Sequence, residues 1–432
     1  MASDHVLLIA DAHVLDPVSG FDGEGFVAVR NGVVQSLGAQ RPEGSFDEVI
    51  DARGLWLMPG IVDLAARFRE PGQTHKASFA SETCAAQAAG ITAITLPPDT
   101  QPPIATPAVA DRVRGIAARS GGLDVYMLGA LTQNLAGEAL AEMSALKQAG
   151  CVGVSNAAFG LRDSLVGRRA LEYAQGLDLT VHVFAQNPAL ANQGCAHEGP
   201  VATRLGLAPI PVAAEVSAIR FWISLVEDTG AAVHFGRLST ARGVEMVEAA
   251  RRNGLRVTAD VAAHQLFLTA KDVEGFNAQC HVLPPLRSVD DREALRAGVQ
   301  RGAIAAICSD HQPHEADAKI NPFPLTEPGI SGLETLLPLG LQLVADGVLD
   351  PLQLAERLST GPAQVLGVTA GSIAAGAPAN LTLVHPRSPC TVNPEAWRSA
   401  GRNTPFRGWD LPGRVCLTLH GGRVVFDELP SR

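Results

Sequence analysis

Between residues 58 and 365, short apolar runs alternate with amphipathic helical patterns, and this alternation restricts the fold more than any other property of the chain. Thr106-Pro107 reads as an N-cap followed by proline at the first helical position, with Val109, Val113 and Ile116 on one face. Gln133 to Gly150 reads as a helical run leading into the short strand Cys151 to Ser155. Ser239 reads as the cap of a helix bearing Val244, Val247 and Ala250; Gly254 ends it, and a strand from Leu255 to Val261 follows. Repeated βα units of this kind place the chain in the α/β class and favour a (β/α)8 TIM barrel over an open sheet, although periodicity alone does not separate the two. Both flanks carry β patterns instead. Val27, Val29, Val33 and Leu37 surround an Asn31-Gly32 turn, a hairpin signal. Asn380 to Val384, Val415 to Leu419 and Arg423 to Val425 follow the barrel, the last two around Gly421-Gly422. The predicted organisation is a first sandwich part at 1–57, a barrel at 58–365 and a second sandwich part at 366–432, the two ends pairing into one small β-sandwich.

Composition supports a large buried core: 46% of residues are hydrophobic and 18% charged. A formal net charge of -10 without a Lys/Arg cluster argues against nucleic-acid binding. Seven scattered cysteines, with no C-x-x-C pair, fit reduced thiols of a cytoplasmic protein, and Cys84, Cys151 and Cys308 read as buried hydrophobes. The N-terminal MASDHVLLIADAH lacks a basic leader and reads as a first strand, not a signal peptide. No apolar run is long enough to span a bilayer, so no membrane association is expected.

In a barrel, chemistry gathers at the C-terminal strand ends. Here those ends read DLAARFR at 63–69, LPPDT at 96–100, SNAA at 155–158, HVFAQN at 182–187, HFGRLST at 234–240, TADVAAH at 258–264 and SDHQPH at 309–314. Together with REPG at 69–72, PPDTQP at 97–102, LPPLR at 283–287 and GISGLET at 329–335, these motifs resemble, in order, those of bacterial dihydroorotases of the amidohydrolase superfamily. The resemblance implies a metal-dependent barrel with a β-sandwich, in which two metals polarise a cyclic amide and activate water.

Carried over position by position, the resemblance implies that the metal cage is lost. The histidines of the first strand's H-x-H fall on Ala65 and Arg67. The bridging carboxylate falls near Asn156 or Ala157, the strand-five histidine on Phe184, and the strand-six histidine on Arg237. Asp310, metal ligand and proton shuttle in the family, survives as a vestigial catalytic position. Arg69 and His314 match groups that bind the substrate carboxylate and ring, Asp99 replaces the asparagine of M-P-N-T, and Leu283 that of N-P-P-L-R. Zinc, expected for active members, is predicted absent, because one carboxylate without imidazoles does not hold two divalent ions. Asp99 is expected to pair with Arg69 and close the pocket. Arg67 or Arg237 is expected to occupy the metal space and neutralise Asp310. His182 and His234 fall out of phase with ligand positions and read as core histidines or groups behind the site. A displaced mononuclear site from His264, His281, His311, Asp310 and His314 is the competing reading.

The resemblance is nearest to inactive dihydroorotase chains that associate with aspartate carbamoyltransferase and are needed for its holoenzyme. It therefore implies an assembly partner of the aspartate carbamoyltransferase catalytic chain in pyrimidine biosynthesis, and a homodimer by family analogy. Two alternatives stay open: an active dihydroorotase or other cyclic-amide hydrolase with a remodelled metal site, and a scaffold like the metal-free dihydropyrimidinase-related proteins. The REPG and PPLR elements, and the lack of a long C-terminal tail, speak against the scaffold.

Overall fold

The computed structural model describes residues 5–429. Eight parallel strands follow one another in chain order around the barrel: Ile61–Asp63, Ile91–Leu96, Asp124–Ala130, Cys151–Ser155, Thr180–Phe184, Val233–Gly236, Val257–Ala262 and Ala306–Cys308. The first and eighth meet just above their ends. There Ala66 bridges His311, Arg67 N donates to His311 O at 2.9 Å, and His311 N donates to Ala65 O at 3.0 Å. The strands are apolar on both faces because helices cover the outside and side chains fill the inside; all six residues of Ile91–Leu96 are buried. The (β/α)8 barrel with an attached β-sandwich is therefore the observed architecture.

The flanking segments join through one hydrogen-bonded sheet. Its order is Arg423–Asp427, Asp410–His420, Leu381–Thr391, Trp56–Pro59, Val6–Asp16, Phe21–Arg30, Val33–Gly38, with Glu48–Asp51 also paired to Val6–Asp16. Alternation sorts its faces: Leu7, Ile9, Val27, Val29, Leu381, Leu383, Leu417 and Leu419 share one core, while Leu8, Ala10 and Ala28 share another. The sheet curls until its two tight turns touch. A Cβ on Gly32 would stand 2.5 Å from Gly421 O, so the Asn31-Gly32 and Gly421-Gly422 turns close over each other only without side chains. Of the N-terminal run read as a first strand, Val6–Asp16 is a strand, and residues 1–4 lie outside the described residues. No helix among the described residues is long and apolar enough to cross a membrane.

Local details differ from the sequence reading in three places. The run from Gln133 to Gly150 is not one helix: a short 3₁₀ turn at Gln133–Leu135 and a helix at Met143–Gln148 flank a loop in which Thr132 bridges Leu140. Asn134, Leu135 and Gly137 all adopt positive φ, which an α-helix excludes. The cap of helix Ala241–Arg252 is Thr240, one residue later than read, whose hydroxyl accepts from Gly243 N while donating to Glu215; the strand that follows begins at Val257, two residues later than read. Cys84 is exposed on the outer side of helix Phe79–Ala88, whereas Cys151 and Cys308 are buried.

Candidate functional site

The barrel mouth is built around Asp310, which follows the eighth strand and is 1% exposed. Arg237, after the sixth strand, donates from Nη1 to its Oδ1 at 2.9 Å. Arg67, after the first strand, places Nη1 3.7 Å from the same oxygen and donates from Nε to Asp99 Oδ2 at 2.9 Å. Gln312 Nε2 approaches both Asp310 oxygens at 3.1 Å. Two guanidinium cations thus face two carboxylates inside the mouth, at a site whose low dielectric demands such pairing. Burial pushes the Asp99 carboxyl up, but Arg67, Arg69 and Arg237 outweigh it and hold it below the usual carboxylate range.

The expected guanidinium replacement is therefore what the geometry shows, but the expected partner of Asp99 is wrong. Asp99 bonds Arg67, not Arg69, because the strand-one backbone turns between them: Arg69 sits at φ 61° and aims its Nε at Pro313 O, 3.1 Å away. Burial and the neighbouring Arg67 lower Arg69 to about 10. His314 lies beside it. Lys76 Nζ lies 3.1 Å from His314 Nδ1, and His314 Nε2 lies 3.1 Å from both Arg69 Nη2 and Pro328 O. Burial, Arg69 and Lys76 push His314 down to about 2, which keeps the ring neutral.

The other replaced positions have new tasks. Phe184 presents its ring to Arg237, whose guanidinium carbon stands 4.7 Å from the ring centroid. Ala65 contributes backbone only, its O accepting from His311 N. Ala157 adopts φ 49° at the end of the fourth strand, and its N donates to Ser155 Oγ at 3.0 Å. Asn156 ties down the loop beyond it: Oδ1 accepts from Thr132 Oγ1 at 2.6 Å, and Nδ2 faces Phe159 O at 3.0 Å and Leu135 O at 3.4 Å. Arg69, Ala157, Arg237 and Asp310 all hold positive φ, a concentration of costly backbone at one barrel mouth.

Behind this cluster lie groups that motif comparison left without a role. His234 bonds Thr258 Oγ1 at 2.8 Å and Asp260 Oδ2 at 2.9 Å, and Asp260 Oδ1 accepts from Arg237 N at 2.5 Å. Burial raises Asp260, but His234 and Arg237 more than offset it and hold the carboxyl low. Asp260 thus positions the backbone that carries Arg237. An acid in the middle of TADVAAH, on a strand next to His234, was the available signal. His182 is buried with Nε2 unpartnered and its ring centroid 5.1 Å from that of His234; burial first, then His234, lowers it to about 3.

The displaced mononuclear site is not assembled. His311 donates from Nε2 to Glu82 Oε2 at 2.8 Å and accepts from Gly332 N at Nδ1, which uses both nitrogens. His281 is bonded to Thr326 and packed on Phe323, and His264 Nε2 is buried without a partner. Among the described residues, no group of three or more His, Cys, Asp or Glu is arranged to hold a metal ion. The two-zinc arrangement implied by the resemblance does not fit the donors present: methyl groups, a phenyl ring, a committed amide and two cations occupy its ligand positions, and its remaining carboxylate is already paired.

Comparison with known proteins agrees with the motifs. A family profile described as dihydro-orotase-like matches residues 54–242. A dihydroorotase-like protein of Pseudomonas aeruginosa is 47% identical over 419 residues, covering 97% of this chain and 99% of its own. The chain belongs to the dihydroorotase-like family. A dihydroorotase of Syntrophotalea carbinolica is 39% identical over 420 residues, covering 97% of this dihydroorotase-like chain and 99% of its own. The L-hydantoinase (dihydropyrimidinase) of Arthrobacter aurescens superposes with a TM-score of 0.89 over 98% of this chain and 96% of its own; at 24% identity it shares the fold. These relatives make the chain a member of a pyrimidine-related amidohydrolase family.

Proposed function

We propose that this dihydroorotase-like chain has given up metal-dependent hydrolysis, and that it acts in the cytoplasm as an assembly partner of the aspartate carbamoyltransferase catalytic chain. The observation that carries the first part is the Arg237–Asp310–Arg67–Asp99 cluster. A divalent metal at the mouth would displace two guanidinium groups from Asp310 and meet no imidazole in their place. The partner rests on the resemblance, and on the survival of barrel and motifs around a site whose ligands have changed.

Metal analysis of the purified chain, paired with a dihydroorotate hydrolysis assay, tests the first part. The expected result is substoichiometric zinc and no turnover. The partner is tested by expressing the chain with and without the transcarbamoylase catalytic chain of the same organism: co-purification, and loss of the transcarbamoylase assembly when this chain is deleted, are expected. Separate elution of the two would sink it. A second reading, an active cyclic-amide hydrolase, draws on Asp310, Arg69 and His314 together and on relatives named dihydroorotase. Turnover that disappears in Asp310→Ala would establish it and overturn the first reading.

A further inference from the structure

Next to the charged mouth lies a cavity of a different chemical character. It measures about 270 Å³ and opens between the ends of the fourth and fifth strands, helix Ser164–Gly176 and helix Val212–Thr229. Phe159, Phe184, Phe221 and Trp222 border it, with Phe221 and Trp222 edge-to-face at 5.3 Å between centroids. No lysine or arginine lines it. Its single charged residue, Asp163, is already committed: it caps Val166 N at 3.0 Å and lies 3.7 Å from Arg162. The remaining polar border includes Gln186, Asn187 and Ser217. Ser217 Oγ is buried without a hydrogen-bond partner, a cost a folded protein normally avoids.

The outer wall is held in shape from an unexpected place. Asn156, one of the two positions near which the resemblance sets the family's bridging carboxylate, fixes the Phe159 and Gly160 carbonyls and the Thr132 hydroxyl. Phe184 borders both spaces, with Arg237 stacked over its ring on the mouth side. Two of the replaced ligand positions thus frame this cavity.

We propose that the cavity is a binding site for a neutral, planar compound of one or two rings bearing ring or amide N–H groups. Its size lies near the lower end of the roughly 300–1,000 Å³ common for small-molecule pockets. The aromatic border suits a flat ring at little entropic cost. The unpartnered Ser217 hydroxyl, the unpartnered His182 Nε2 and the Gln186 amide supply a few directional contacts, while Asn187 Oδ1 is already taken by Leu190 N. With no lysine or arginine in its border, the cavity offers an acid no direct counter-charge and favours a neutral ring. This inference goes beyond the proposed function and does not depend on whether the mouth hydrolyses anything.

Calorimetric titration of the full-length protein tests it, with indole as a neutral N–H ring and indole-3-carboxylate as the same ring with a charge. Indole is expected to bind in the micromolar to low-millimolar range, and the carboxylate at least about tenfold more weakly. Ser217→Leu fills the cavity from the helix and is expected to weaken indole by about tenfold with an unchanged melting temperature. If that variant does not fold, Ser217→Ala removes only the unpartnered hydroxyl and is expected to weaken indole severalfold. No indole binding up to low millimolar, equal binding of the carboxylate, or wild-type affinity in the serine variant that folds would each overturn the proposal.

Discussion

Asp310 shows how much a single side chain depends on its neighbours. It is 1% exposed, and its charge is tolerated because Arg237 and Arg67 converge on one oxygen. Asp310→Ala would leave Arg237 without its hydrogen-bonded carboxylate and Arg67 with Asp99 alone as an ion-pair partner, and breaking a buried pair from one side commonly costs about 3–5 kcal/mol. Urea denaturation of that variant should give a loss of about 3 kcal/mol, and Asp310→Asn, which keeps an acceptor, a smaller one. A loss below about 0.5 kcal/mol would mean the cluster is solvated like a surface pair. At this scale the sequence was legible in part. The resemblance sets Ala65, Phe184 and Arg237 at metal-ligand positions by motif order alone. That Asp99 bonds Arg67 while Arg69 turns to Pro313 does not follow from motif order, because a positive φ at residue 69 decides it.

Loops at the strand ends show the same limit at the level of elements. Strands and amphipathic helices announce themselves by periodicity: seven of the barrel strands end where the sequence reading sets strand ends, and the third, Asp124–Ala130, was not read from the sequence. The segment 133–150 misleads because its composition is helical, while its backbone is drawn out of a helix by contacts from afar: Thr132 Oγ1 donates to Asn156 and accepts from Gly137 N at 2.9 Å. Glu215 does comparable work after the sixth strand. Its carboxylate accepts from Ser239 N at 3.0 Å, Ser239 Oγ at 2.5 Å, Thr240 N at 3.0 Å and Thr240 Oγ1 at 2.6 Å. It thereby holds the turn that carries Arg237. Glu215→Ala strands two buried backbone N–H groups, each costing about 1–3 kcal/mol. A destabilisation of about 2–4 kcal/mol should appear in chemical denaturation; a change within about 0.5 kcal/mol, the range of ordinary surface substitutions, would refute the assigned role.

Across the whole molecule, burial of histidine makes stability depend on pH. His182, His264, His281 and His314 are lowered to about 3, 4, 4 and 2, from an ordinary value of 6.5, with burial the largest cause for each. Below pH 6.5 the unfolded chain takes up protons that the folded chain refuses, so stability falls as pH falls toward those depressed values. Each such proton is worth about 1.4 kcal/mol per pH unit, so four set an upper slope of about 5.5 kcal/mol per unit. The buried carboxyls Glu82, Asp99 and Asp260, held below their usual range against the cost of burial, withdraw their stabilisation lower still, as pH drops below about 4. Urea midpoints at pH 7.5, 6.5 and 5.5 should fall most across the last interval, and a flat profile would show these rings to be solvated. Hydrophobic alternation and motif order by themselves determined the barrel, the union of both chain ends in a second sheet, and the family, because strand and helix periods are local properties of the chain. Which cation meets which carboxylate, where the 133–150 loop leaves the helix, and the cavity framed by Asn156 and Phe184 were decided only by tertiary structure. Those outcomes depend on backbone turns and on partners scores of residues away, which no local pattern encodes.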